Sequence, residues 1–329
     1  MIPLFVLTRF AVTTACALAC VAPHGALAQS YPDRPVTIII PFAPGGGTDV
    51  VARAMAQAFG AKLGQTIVIE NVSGAAGNIA SARVARATPD GYTLIMHNLA
   101  LALNAGLYAR LPYDTEKDFI PIAMINQTPN VYVARKTMPP NTVPELVAWM
   151  KTNTARLAHP GVGSTGHIQV ALLAKAIGVN ADFIPYRGGG PMLQDIIAGH
   201  VDMGTVTLGN AIEPVKNGQV KGIGLTAAAP SKLLPEVPSV VTDLGSTLDI
   251  MFWNILMAPA GTPKPVIDKI YAAFEETIKD RALVESWARM GIDLYPPEQR
   301  TPDAARALVR SEVARWGRVI KENKIEAQQ

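Results

Sequence analysis

Three glycine-bearing stretches hold the residues whose types and spacing suit chemistry. The first is Phe42-Ala43-Pro44-Gly45-Gly46-Gly47-Thr48-Asp49, directly behind an apolar run. The second is Gly161-Val162-Gly163-Ser164-Thr165-Gly166-His167, and the third is Tyr186-Arg187-Gly188-Gly189-Gly190-Pro191. Each reads as a strand ending in a turn that opens a helix. The first amides of a helix have no partner inside it, and they suit a carboxylate or another anion placed at its N-terminus. Two such turns on two lobes make a clamp for a small anion. Asp49 falls in a first helical turn, where the helix dipole favours an acid, and it can accept from loop amides or from a ligand's donor. Arg187 can reach a second anionic group.

Other chemistries fit these residues less well. A phosphate loop needs Lys-Ser/Thr after its glycines, and no lysine stands near residues 45–47. Gly161, Gly163 and Gly166 match the spacing G-x-G-x-x-G. The acid that a dinucleotide site needs about 20 residues on, Asp182, begins the next strand instead of ending it, and Arg187 stands at that end. Ser164 and His167 fill two of the three roles of a hydrolytic triad, and no third group orients the histidine. A serine at a helix start also suits a cap. No His, Asp or Glu cluster has metal-ligand spacing. Neither a cofactor nor a metal is expected.

The turns need strands and helices to hold them. Residues 36–42 read as a buried strand. Residues 48–63 read as a helix, with Val50, Val51, Ala54, Met55 and Ala58 at spacings of three and four and Gly64 as its stop. Strands at 67–71 and 92–96 flank a helix at 77–87. This βαβαβ order implies a parallel, doubly wound sheet. Residues 122–135 read as two strand segments around Asn126-Gln127-Thr128-Pro129, the first crossing between lobes. The capping box Thr142-Val143-Pro144-Glu145 opens a helix at 144–151. A second series follows: helix 166–177, strand 182–186, helix 191–198, strands 201–207 and 222–227, a loop at 230–238 and a return strand at 251–258. Two helices close the chain, each entered by Thr-Pro, at 262–263 and 301–302.

The first 28 residues read as a cleaved leader. Arg9 is a weak positive start, residues 10–22 are mostly apolar, and Ala26-Leu27-Ala28 is a small-x-small cleavage site. The apolar stretch falls short of the roughly 20 residues that span a bilayer. Both cysteines, Cys16 and Cys20, lie in the leader, and Ala17-Leu18-Ala19 is a poor context for lipidation of Cys20. A chain cut after Ala28 has no thiol, so disulfides and thiol catalysis are excluded. Losing Arg9 turns 29 basic residues into 28 against 26 acidic ones. That scattered, near-neutral balance does not support nucleic-acid binding.

From Tyr31 to about Ile325 the chain resembles the solute receptors of tripartite tricarboxylate transporters, the Bug or TctC-like family. The first glycine loop with Val50-Val51-Ala52-Arg53, Gly77-Asn78-Ile79, Pro89-Asp90-Gly91-Tyr92-Thr93-Leu94 and Leu111-Pro112-Tyr113-Asp114 carry the resemblance. So do Lys117-Asp118-Phe119, Pro185-Tyr186-Arg187-Gly188, Gly199 with Val201-Asp202, Leu234-Pro235-Glu236-Val237-Pro238 and Ala258-Pro259-Ala260-Gly261-Thr262-Pro263. Three places depart from the pattern. Ser73 replaces a usual proline, and Ile255 a frequent glycine. The run His97-Asn98-Leu99-Ala100-Leu101-Ala102-Leu103 is more apolar than the family's loop there, which argues for a ligand with an apolar body, an aromatic or aliphatic acid, and not citrate.

The resemblance implies an α/β, two-lobed periplasmic binding protein fold of type II-like form: two doubly wound sheets, a two-strand hinge and a ligand cleft between the lobes. Residues 1–28 form the signal peptide, 29–127 and 253–329 one lobe, and 128–252 the other. The candidate ligand contacts are Phe42, Ala43, Gly45, Gly46, Thr48, Asp49, Asn98, Gly163, Ser164, Thr165, His167, Arg187 and Thr205. The expected protein is a monomeric periplasmic receptor that closes on a small carboxylate ligand and hands it to integral-membrane permease subunits. It is not an enzyme. A sensing adaptor would use the same clamp, and an exported α/β enzyme would need a perturbed acid–base pair in the cleft.

Overall fold

The structure, a computed structural model, describes residues 31–327. The leader, its cleavage site and both cysteines lie outside the described residues. From Arg34 onward the chain forms one unit that holds every strand and helix described. In chain order these are β1 (Val36–Ile40), α1 (Gly47–Leu63), β2 (Ile67–Asn71), α2 (Asn78–Ala85), β3 (Thr93–Asn98), α3 (Ala100–Leu107) and β4 (Phe119–Arg135). There follow α4 (Val143–Met150), β5 (Arg156–His159), α5 (Thr165–Ile177), β6 (Asp182–Pro185), α6 (Gly189–Ala198), β7 (Met203–Thr207), α7 (Leu208–Lys216), β8 (Val220–Leu225) and α8 (Val240–Leu244). The last are β9 (Met251–Pro259), α9 (Lys264–Thr277), α10 (Arg281–Arg289), β10 (Asp293–Leu294), α11 (Pro297–Arg300) and α12 (Pro302–Glu322).

The strands run in the order β2-β1-β3-β9-β4-β7-β5-β6. The outer trios, β2-β1-β3 and β7-β5-β6, are parallel, as the alternation of strand and helix predicts. The two central strands, β4 and β9, run antiparallel to their neighbours. β1 is buried along almost its whole length, which suits a central parallel strand. α1 packs Val51, Ala52, Met55 and Phe59 inward, and Gly64 ends it in the left-handed region at φ 91°.

β4 joins the two halves. Residues from Phe119 to Pro129 pair with β9, and those from Asn130 to Arg135 pair with β7 and β8. The Asn126-Gln127-Thr128-Pro129 stretch is therefore mid-strand, where two segments were expected. Two of its polar side chains find partners that keep them in the sheet. Asn254 Nδ2 donates to Asn126 Oδ1 at 2.9 Å, and Thr128 Oγ1 donates to Gly291 O at 2.6 Å. The chain returns through Ile250 into β9. Thr226 binds both crossings: its N–H reaches Asn130 O, its carbonyl accepts from Ile250 N, and its hydroxyl accepts from Asn130 N and donates to Ile250 O.

Three expectations change. The Leu99–Leu103 stretch is not a ligand-facing loop; its last four residues open helix α3, and all five side chains are buried. The C-terminal part has two further helices, α10, capped by Asp280, and the short α11, between the two that the sequence predicts. α7 and α8 are helices that the sequence pattern does not predict. Among the described residues no helix is long and apolar enough to cross a membrane.

Candidate functional site

Four helix N-termini meet at one cavity. Gly46, Gly47 and Thr48 bring the start of α1, and Ser164, Thr165 and Gly166 that of α5. Gly189 opens α6, and Thr207 stands at the N-cap of α7. Gly46, Gly188 and Thr207 make no side-chain capping bond. Amides in these first turns have no helical acceptor and carry the positive end of each dipole. The remaining lining comes from Phe42, Asn98, Asn130, Pro160, Thr205, Val206, Asn210 and Phe252. No lining residue is charged. The cavity volume is about 50 Å³.

The hydroxyls are arranged to donate. Asn98 Nδ2 gives a 2.9 Å bond to Thr48 Oγ1, so the Thr48 proton is left to point elsewhere. His167 N gives a 3.2 Å bond to Ser164 Oγ, with the same consequence. A hydroxyl that accepts at one lone pair still has its own proton to give. Thr165 Oγ1 and Thr205 Oγ1 are buried and have no protein partner. The walls therefore offer amides, hydroxyls and two phenyl faces, a lining suited to an anion with some apolar surface.

Phe42, Gly46, Thr48, Asn98, Ser164, Thr165 and Thr205 line the cavity; the other six expected contacts do not. Asp49 lies behind its loop. Its carboxylate accepts from Gly45 N at 2.9 Å, Asn71 Nδ2 at 2.9 Å and Arg53 Nε at 3.0 Å. Burial raises the Asp49 carboxyl, but the bonds from Arg53, Gly45 and Asn71 outweigh it and hold it below the usual carboxylate range. Asp49 thus uses all its accepting power on protein. Ala43 and Gly45 face the other half of the molecule: Ala43 N donates to Arg187 O at 3.2 Å, and Asn210 Nδ2 to Gly45 O at 3.0 Å. The Arg187 side chain is exposed, and only its carbonyl takes part.

Gly163 and His167 sit on the far side of the second loop. Gly163 N donates to His167 Nδ1 at 3.3 Å, and the His167 ring packs on His159 with centroids 4.6 Å apart and on Phe183. Gly163 N thus occupies His167 Nδ1, and Ser164 Oγ bonds the His167 backbone and not its ring, so the pair is not assembled as base and nucleophile. Burial, with a smaller push from His159, lowers His167 to about 3, and burial lowers His159 to about 4. Both rings are neutral. Among the described residues no group of three or more His, Cys, Asp or Glu has the geometry to hold a metal ion.

The two halves touch around the cavity at glycines of the first and third loops. A Cβ on Gly47 would stand 2.5 Å from Thr207 Cγ2, and one on Gly190 would stand 2.6 Å from Pro44 O. Only glycine permits those approaches. On another side Tyr108 OH donates to Val162 O at 3.0 Å. The chain matches, over residues 51–325, the tripartite tricarboxylate transporter family receptor. It belongs to that family. BugT of Bordetella pertussis (strain Tohama I) is 31% identical over 300 residues, which are 90% of this chain and 91% of that one. The periplasmic binding protein BugD superposes with a TM-score of 0.87 at 33% identity, covering 91% of this chain and 100% of that one. MatC from Rhodopseudomonas palustris, solved with bound malate, superposes at 0.84 with 35% identity, covering 88% and 100%. The chain is a solute-binding receptor with the α/β periplasmic binding protein fold, and not an enzyme.

Sequence reasoning missed Asn130, Pro160, Val206, Thr207, Asn210 and Phe252, and it passed over Gly47, Gly166 and Gly189 beside the residues it chose. One signal was present. Thr207-Leu208-Gly209-Asn210 is a fourth strand-to-helix turn, with a hydroxyl at the cap position.

Proposed function

We propose that this receptor captures a small carboxylate by lobe closure and delivers it to a membrane permease of the tripartite tricarboxylate type. The observation that carries the reading is the convergence of four helix N-termini on one uncharged cavity. A carboxylate there exchanges water for oriented amides and hydroxyls, with no buried cation to desolvate. Phe42, Gly46, Thr48, Asn98, Ser164, Thr165 and Thr205 hold the ligand. Ala43, Gly45, Asp49, Gly163, His167 and Arg187 shape the loops that do so. One lobe spans residues 31–127 and 253–327 and the other 128–252, with Thr226 tying the crossings. A leader removed after Ala28 sends the chain to the periplasm, where it works as a monomer.

The ligand has an apolar body, and the support for this comes from Phe42, Val206 and Phe252 in the wall, not from the buried leucines of α3. MatC holds malate, so a short dicarboxylate belongs among the acids to test. A thermal-shift screen of mono-, di- and tricarboxylates tests the reading, because stabilisation grows with ligand concentration over dissociation constant. Selective stabilisation by one or a few acids is expected. Citrate binding far more tightly than any aliphatic or aromatic acid would reject the apolar body, and no response to any acid would reject carboxylate capture.

A further inference from the structure

One group in the cavity wall cannot serve an anion. Gln169 Nε2 donates to Ile250 O at 3.3 Å, and Gln169 Oε1 accepts from Asn130 Nδ2 at 2.8 Å. The Ile250 carbonyl accepts only, so it fixes which end of Gln169 faces it, and Gln169 in turn fixes Asn130. The Asn130 backbone is held by Thr226 on both its N–H and its carbonyl. What remains is Asn130 Oδ1, buried, without a partner, on a residue that lines the cavity. Thr165 Oγ1 and Thr205 Oγ1, the other unpartnered wall atoms, can turn a proton toward a carboxylate. An amide oxygen can only accept, and a carboxylate oxygen set against it is repelled.

We infer that the receptor selects acids bearing a hydrogen-bond donor besides the carboxylate, a hydroxyl or an amino group, and that Asn130 Oδ1 reads that donor while Gln169 positions it. This rests on the carboxylate-capture reading above and narrows its ligand to hydroxy or amino acids. The physical basis is the cost of closing the cleft over an unsatisfied acceptor, which falls on the plain acid and not on its substituted partner.

The test is calorimetric titration of the full mature chain with matched acids: L-malate and L-aspartate against succinate, L-lactate and L-alanine against propionate, 2-hydroxyadipate against adipate. In every set that binds, the substituted acid is expected to bind about tenfold or more tightly than the plain one. Asn130→Leu and, separately, Gln169→Leu should shrink that ratio toward one, the second variant leaving every lining side chain in place. The wild-type ratios decide the matter even if a variant fails to fold. Equal affinity within every set that binds overturns the inference and leaves carboxylate capture standing; a water molecule then satisfies Asn130. Binding by no acid of either kind overturns carboxylate capture, and this inference with it.

Discussion

At the scale of the residue, the working groups are hydroxyls that protein has already committed on one side. Ser164 Oγ caps α5 by accepting from His167 N, and its proton is free for a ligand. Ser164→Ala should therefore cost about 1 kcal/mol of folding stability as a lost cap and about 1–2 kcal/mol of binding as a lost donor. Urea melts and titration calorimetry separate the two, and an unchanged dissociation constant would remove Ser164 from the site. Asp49 acts one layer back. Arg53 is half exposed, so the ion pair alone contributes little. The bonds to Gly45 N and Asn71 Nδ2 matter more, because they set the path of the first loop. Asp49→Ala leaves those donors stranded, and a loss of about 1–3 kcal/mol in stability is expected together with weaker binding. Wild-type melting and wild-type affinity in that variant would show that the loop keeps its shape unaided.

At the scale of the element, closure is a matter of backbone meeting backbone. Gly190 stands in the first turn of α6, at the end of the third glycine stretch, and its Cα side lies against Pro44 O of the first. Gly190→Ala would put a methyl group 2.6 Å from that oxygen. A methyl there opposes the close approach of the two halves, so the variant should bind about tenfold more weakly and stay extended by small-angle scattering when acid is added. Full contraction on ligand would mean that these loops part without cost. How much of this was legible follows from how local each signal is. The strand-turn-helix units could be read because their glycines, caps and apolar periods lie within one stretch of chain. α3 was hidden because its first five residues are buried on every side, which leaves no amphipathic period to detect. Gly209 and Pro214 disguised α7. Asn130 was out of reach altogether: a lone polar residue in a strand acquires meaning only from Thr226 and Gln169, which are 96 and 39 positions away.

At the scale of the whole molecule, three neutral histidines are buried in the two halves that form the clamp. Fully buried His97 accepts from Asn98 N at 2.8 Å through Nδ1, next to the Asn98 side chain that holds Thr48. Burial pushes it down to about 4, and His159 and His167 lie near 4 and 3 for the same cause. An unfolded histidine takes up its proton near pH 6.5. Between that pH and the folded values only the unfolded chain binds the protons, so stability is complete above about 6.5 and falls as the pH drops toward 4. Each histidine contributes a slope of about 1.4 kcal/mol per pH unit within that window. Asp49, whose pKa is held low, behaves differently: its contribution is present above the usual carboxylate value of 3.8 and is lost only below it. The two windows are separate, so a melting-temperature profile from pH 7 to 4.5 reports on the histidines. His97→Asn keeps an acceptor for Asn98 N and removes the titration, and it should flatten the profile by about one proton's worth. Gly163 N, on the loop that carries Ser164 and Thr165, donates to His167 Nδ1, and that ring stays neutral in the folded chain down to about 3, so the affinity of the folded receptor should hold level over the same range. A wild-type profile that stays level from pH 6.5 to 4.5 would mean that these rings reach water or a carboxylate before the fold opens, and the neutral, dry packing beneath both clamp loops would have to be abandoned.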